Sequence, residues 1–159
     1  MILLKIFDIK ITMAELLMQE SYDLFYLEEA KVNTFVKMQL SGFRNMRYYS
    51  EEEKEGLSEY ILWKEVRPYL FSFIKGKKIP DSFQISLRPP DRFREEVLGK
   101  AAELGSVDYY LHFRFENEEL SVVTGCFYHE FTMDKEAEYT WDKAVKDFFR
   151  QKGISYEEH

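Results

Sequence analysis

Cysteine is nearly missing from this 159-residue chain, with Cys126 its single example. No intramolecular disulfide can form, four-cysteine zinc sites are excluded, and a cytoplasmic location is the simplest expectation. Histidine is almost as scarce, with His112, His129 and His159 only. His129-Glu130 lacks the second histidine of a zincin box. The seven glycines and four prolines form no GxGxxG, no GxxxxGK[ST] and no GxSxG, so nothing points to a dinucleotide fold, a P-loop or a serine-hydrolase elbow. No apolar run approaches ~20 residues, which excludes a membrane-spanning helix. The opening apolar stretch is broken by Lys5 and Asp8. It is too short for a secretory leader and is expected to start the fold.

Aromatic and charged residues are abundant instead, at 17% and 32% of the chain, with 45% apolar overall. That much apolar content offsets the entropy of ordering and places the chain among globular domains. The length suits one domain spanning 1–159, divisible into halves 1–78 and 79–153. The net charge of −7 is unevenly spread: residues 64–78 carry +4 and 143–152 carry +3, leaving −14 elsewhere.

The apolar periodicities predict an α+β fold, a mostly antiparallel sheet of about five strands with three to four helices. A strand is expected within 1–7. A helix is expected over 9–19, with a Thr12-x-x-Glu15 capping box and with Met13, Leu16 and Leu17 inward. Residues 23–43 read with period two, Ala30, Val32, Thr34, Val36, Met38 and Leu40 sharing one face. This is too long for one ordinary strand, so a bend is expected near Glu28–Ala30. Residues 44–56 read as a loop or a turn of helix. A helix is expected over 58–75 with Leu62, Val66, Leu70 and Phe73 inward, kinked or broken near Arg67 by Pro68. A strand follows at Ser82–Arg88, ended by Pro89-Pro90. A helix is expected over 91–104, with Phe93, Val97, Ala101 and Leu104 inward. Residues 107–115 and 120–131 form the clearest hairpin, joined by a two-residue Asn117-Glu118 loop. In that register Tyr109, Leu111, Phe113 and Phe115 face the core with Leu120, Val122, Thr124, Cys126 and Tyr128. Tyr110, His112, Arg114, Ser121, Phe127 and His129 face the other way. A final amphipathic helix at 135–152 turns Ala137, Trp141, Ala144, Val145 and Phe148 inward and stops at Gly153. The segments 59–66 and 138–144 echo each other, each opening a Trp-containing helix.

Two basic stripes emerge on helical wheels. Lys64, Arg67 and Lys75 share a face with Phe71; Lys143, Lys146 and Arg150 share another. Solvation explains such faces most simply, and cations suit helix C-termini. Set side by side, the two helices would form a phosphate-tracking surface. Cys126 and His129 lie three apart on a strand and so point to opposite faces, which excludes a Cys–His pair. His112 and His129 are too far apart along the hairpin to share an ion. No catalytic residue, metal ligand or cofactor is therefore expected, and an enzymatic site could only centre on Tyr110, His112, Arg114 and His129.

Several stretches carry a resemblance: Asp8-Ile-Lys10, Phe25–Ala30, Trp63-x-x-x-Arg67-Pro68, Phe73–Lys77, Val123-Thr-Gly125, Phe131-Thr-x-Asp134-Lys135 and Trp141-Asp142. From Leu3 to Gly153 the chain resembles a family of small uncharacterised bacterial proteins of the Firmicutes type, a domain of unknown function. That resemblance implies no activity and no site residues. The order of strands and basic helices is also loosely similar to a DNA sliding-clamp unit, which implies contact with nucleic acid through the helices. The leading expectation is a non-enzymatic interaction domain that binds a protein partner or itself, since interfaces favour aromatic residues. Nucleic-acid contact stands second and an enzyme around His112 third; no membrane partner is expected.

Overall fold

The computed structural model describes residues 1–98 and 107–159. The elements are β1 (Leu3–Ile6), α1 (Ile9–Leu17), β2 (Tyr26–Asn33), β3 (Lys37–Ser41), α2 (Trp63–Ile74), β4 (Ser82–Arg88), α3 (Asp91–Leu98), β5 (Val107–Glu116), β6 (Glu119–Tyr128), α4 (Glu136–Gln151) and β7 (Tyr156–Glu158). The strands form one sheet in the order β3-β2-β4-β5-β6-β1-β7, and every neighbouring pair is antiparallel. The sheet thus has seven strands, not about five. The period-two run over 23–43 is a hairpin rather than one strand, and β7 adds a further edge strand.

The hairpin at β2–β3 was hidden because Thr34-Phe35-Val36 carries no turn residue. Its register pairs Val32 with Met38 and Ala30 with Leu40, so the even-numbered set keeps a common face across the turn. The expected bend is a register shift between Leu27 and Glu29 against β4. β5 and β6 pair Val107 with Tyr128 through Glu116 with Glu119. Asn117 and Glu118 have φ of 53° and 61°, the left-handed pair that a two-residue hairpin loop requires.

Alternation along the strands sorts the sheet into two faces. Leu4, Ile6, Leu27, Val32, Phe83, Ile85, Leu87, Leu111, Phe113 and Val122 are buried on one face, where the helices pack. The other face presents Gln84, Ser86, Arg88, Tyr110, His112 and Arg114 and has no helix over it among the described residues. α2 packs on β2 and α4 on β6, with α1 against α2 and α3 against α4. Tyr22 fills the space between, its ring 5.4 Å from Phe25, 5.3 Å from Phe113 and 5.6 Å from Phe148.

The helices differ from expectation in specific ways. α1 ends at Leu17, and Thr12 lies within its first turn, its hydroxyl donating to the Asp8 carbonyl at 3.0 Å, so the capping box does not form. α2 begins at Trp63, because residues 59–62 run extended. Ile61 N–H donates to Gly42 O, Leu27 N–H to Ile61 O and Arg44 N–H to Glu59 O, each at 2.8 Å. Pro68 neither breaks nor ends α2. It deprives only the Lys64 carbonyl of a partner, and both residues lie on the solvent side, where water can serve instead. Phe73 is 36% exposed rather than inward, and Trp63 takes the buried place. In α4, Phe149 is fully buried and Phe148 only partly; Gly153 closes the helix with φ of +69°. The expected run of α3 beyond Leu98, with Ala101 and Leu104, and the Val97 side chain lie outside the described residues.

Each tryptophan ties two elements together. The Trp63 indole donates to Leu16 O at 2.8 Å, satisfying a carbonyl at the end of α1. The Trp141 indole donates to Tyr110 O at 3.0 Å, pinning α4 to β5.

Candidate functional site

Pro89-Pro90 ends β4, leaving Arg88 as its last residue at one end of the open face. There the extended segment 59–62 runs antiparallel beside the start of β2 and the residues after β3, with Tyr60 paired to Phe43 and Leu62 to Tyr26. This segment sets the Tyr60 ring 4.7 Å from the Arg88 guanidinium, and the Tyr110 ring lies 5.9 Å from it. Arg88 Nη2 donates to Asp108 Oδ1 at 3.0 Å, and Glu28 Oε2 lies 3.8 Å from Nη1. The second Asp108 oxygen is 2.9 Å from His129 Nε2, and the His129 ring meets Phe127 edge-on at 5.1 Å. Burial alone would lower the Arg88 pKa, but Asp108, Tyr60 and Tyr110 more than offset it, and the net shift is upward. Burial, then the charges of Asp108 and Glu28, pushes the Tyr110 hydroxyl up.

Beside Arg88 lies a cleft of about 220 Å³ whose lining includes Tyr26, Tyr60, Arg88, Arg94, Asp91 and Asp108. It holds guanidinium and carboxylate groups together with phenol rings. It is smaller than pockets that enclose a whole ligand, which run from ~300 Å³, and it suits one protruding side chain. Exposed Phe43 and Phe127, 60% and 56% accessible, flank this end of the face.

His112 sits further along β5. Its ring stacks on Tyr110 at 5.8 Å and 10°, and its Nδ1 lies 2.7 Å from Ser86 Oγ. Burial first, and the neighbouring Arg114 charge second, hold the imidazole below its ordinary pKa. Ser86 and His112 are direct cross-strand partners, so their contact follows from register. A Cβ on Gly125 would lie 3.2 Å from His112 Nε2, which gives that nitrogen a backbone neighbour where a triad would have a carboxylate. The clefts beside Arg114 are lined by Lys31, Gln84 and Glu116 and by Lys5, Glu119 and Ser121, without His112. Tyr110 and His112 are thus brought together, Arg114 flanks them, and His129 belongs to Asp108 and Arg88.

The two basic stripes lie on the helical side. α2 and α4 sit over strands three places apart, about 14 Å. Arg67 is held by Asp23 through bonds of 2.7 and 3.1 Å. Lys146 pairs with Glu158 at 3.3 Å and Arg150 with Asp147 at 3.0 Å. Phe71 packs partly against the core, and Lys75 Nζ lies 5.5 Å over its ring. Lys64 and Lys143 are exposed, with no ion pair among the described residues.

Cys126 lies on the core-facing side of β6, as expected from its register. Burial, then Asp142 and Glu138, pushes its thiol up to about 12. Among the described residues no group of three or more His, Cys, Asp or Glu side chains could hold a metal ion, and no helix is long and apolar enough to cross a membrane.

A family profile matches residues 15–157, from the end of α1 into β7. The chain belongs to DUF5721, a family of unknown function. The DUF5721 match includes Tyr60, Arg88, Asp108, Tyr110 and His129 but stops short of β1 and the start of α1. No curated protein matches the chain, and no solved structure does.

Sequence reasoning missed Arg88, Tyr60 and Asp108. Arg88 read as the last residue of a strand, Tyr60 as helical. The one available signal was the alternation of β4 and β5, which sets Arg88 on the polar face with Tyr110.

Proposed function

We propose that this chain is a non-enzymatic interaction domain that takes a protein partner on the open face of its sheet, anchored at Arg88. The observation carrying the reading is the Arg88 guanidinium held close to both the Tyr60 and Tyr110 rings, with Asp108 fixing its direction. Arginine and tyrosine held rigidly in partly desolvated pockets are the side chains that dominate protein interfaces. Prior ordering lowers the entropy lost on binding. Exposed Phe43 and Phe127 beside the anchor supply apolar area that water gains by leaving. A partner offering a carboxylate or backbone carbonyl would meet the donors Arg88 has left. An enzymatic site has less support, because Ser86 is buried and His112 rests on backbone rather than on a carboxylate.

The test is parallel affinity capture with the wild-type chain, Phe43→Asp and Phe127→Asp. Both residues are exposed, so thermal melts should be unchanged. Size-exclusion chromatography with light scattering reports self-association of the same three proteins. The expected result is a partner, or a dimer, present with wild type and lost with both variants. A strictly monomeric wild type whose captured set matches that of the variants removes the proposal.

A further inference from the structure

The opposite end of β2 and β4, about 20 Å from Arg88 along the strands, has a different chemistry. There the β2–β3 turn and the α2–β4 connection enclose a cleft of about 640 Å³, lined in part by Phe35, Phe73, Lys75, Lys77, Lys78 and Ile79. Phe35 is 91% exposed. It stacks loosely beside Phe73, ring centroids 6.4 Å apart at 25°, and its ring faces remain open to solvent.

Lys75, Lys77 and Lys78 are all exposed, and none makes an ion pair among the described residues. That sets them apart from Arg67, Lys146 and Arg150, each held by a carboxylate. Asp81 is the carboxylate lining this cleft, so three cations face one anion in a protein of net charge −7.

We infer that this cleft binds single-stranded nucleic acid, one base stacking on Phe35 and the adjoining phosphates meeting Lys75, Lys77 and Lys78. An aromatic platform beside a run of unpaired cations is the arrangement that single strands use, because every base offers a π-face and every linkage a charge. A duplex hides its base faces within the stack and should bind less well. The concavity favours a strand over a lipid surface: a flat bilayer cannot fill a cleft, and Phe35 turns a ring face outward beside it. The occupant is independent of the partner proposed at Arg88, since the two sites lie at opposite ends of the sheet.

Fluorescence anisotropy with labelled oligothymidylate of about ten nucleotides tests the inference, using the full chain at 50 and 200 mM salt. Three phosphate contacts should weaken binding about 20-fold over that range, and Phe35→Ala should weaken it about tenfold or more. Lys77→Glu/Lys78→Glu should abolish binding, while Lys10→Glu/Lys135→Glu, an equal change of net charge elsewhere, should leave it nearly intact. The same probe annealed to its complement should bind more weakly. Vesicles of phosphatidylcholine and phosphatidylserine form the second arm. No binding at 50 mM salt, equal binding of duplex and strand, or Phe35→Ala behaving as wild type overturns the inference. Vesicle binding without oligonucleotide binding overturns it in favour of a lipid surface.

Discussion

Arg44 and Glu65 are joined by two parallel N–H···O bonds, each 2.9 Å long. Arg44 is 8% exposed. Its remaining donors reach Ser58 O at 2.8 Å and the Tyr49 hydroxyl at 3.0 Å. Glu65 Oε2 also accepts from Leu62 N–H at 2.7 Å, at the start of α2. The pair therefore fastens the 42–62 segment, which carries Tyr60, to the first turn of α2. Glu65→Ala should leave a buried cation unpaired and destabilise the fold by about 3 kcal/mol, read from urea unfolding. The Arg44 bonds hold the Glu65 carboxyl below its ordinary pKa. Its stabilising effect is present above the unfolded value and should be lost as pH falls below about 4.5. An unfolding midpoint unchanged by Glu65→Ala would refute this role.

Gly42 is required by a close backbone approach. A Cβ there would lie 1.6 Å from the carbonyl oxygen of Leu27, and Gly42 also bonds through its N–H to Glu28 O at 2.9 Å. Gly42→Ala should cost more than about 4 kcal/mol or prevent folding. Gly76→Ala, with nothing within 4 Å of the added carbon, should stay within about 0.5 kcal/mol of wild type. Thermal melts of the two variants separate the cases.

His112 should make the protein less stable in mild acid. Its folded pKa lies below the ordinary imidazole value, so the unfolded chain takes up the proton first. The full stability is present above about pH 6.5 and declines as pH falls below it, until the folded imidazole protonates. His112→Gln should flatten the dependence of unfolding free energy on pH between about 7.5 and 5.5. An equally steep slope in the variant would show that His112 does not contribute.

Cys126 should be chemically quiet in the native state. With the thiol at about 12, the thiolate fraction at pH 8 is about 10⁻⁴, against roughly a quarter for an ordinary cysteine. Reaction with a disulfide reagent such as Ellman's should be slow until urea unfolds the chain and then run at the rate of a free thiol. Prompt labelling of the native protein would contradict the burial described for β6.

Elements governed by short-range rules were legible from sequence. The β5–β6 register followed from alternation and a two-residue loop, β4 from its flanking prolines, and α4 from its apolar stripe and terminal glycine. The β2–β3 turn was not legible, because Thr34-Phe35-Val36 reads as strand, yet it reverses the chain so that Asn33 pairs with Lys37. Nor was the extended run at 59–62, whose helical period is overridden by hydrogen bonds to Gly42 and Leu27. Both candidate sites depend on those two segments. Of the basic residues, Lys64 and Arg67 lie on α2 and Lys143, Lys146 and Arg150 on α4, while Lys75 lies just past the end of α2 in extended conformation; a wheel could not show that Asp23 and Glu158 hold Arg67 and Lys146. Lys64, Lys75, Lys77, Lys78 and Lys143, which make no ion pair among the described residues, differ from these only in what tertiary structure fails to bring near.

β1 lies between β6 and β7, with Leu3 opposite Val123 and Leu4 opposite Glu158. Its nearest partner in the sheet thus lies about 120 residues further along the chain. During synthesis β1 emerges before the other strands of this sheet and has no neighbour until β6 has followed. Closing so long a loop is an entropic cost met late. The central strands β2, β4 and β5 can pair with one another while β1 waits for β6. A nascent chain stalled before residue 120 would lack β6 and leave the outer edge of β5 unpaired, open to pairing with another chain.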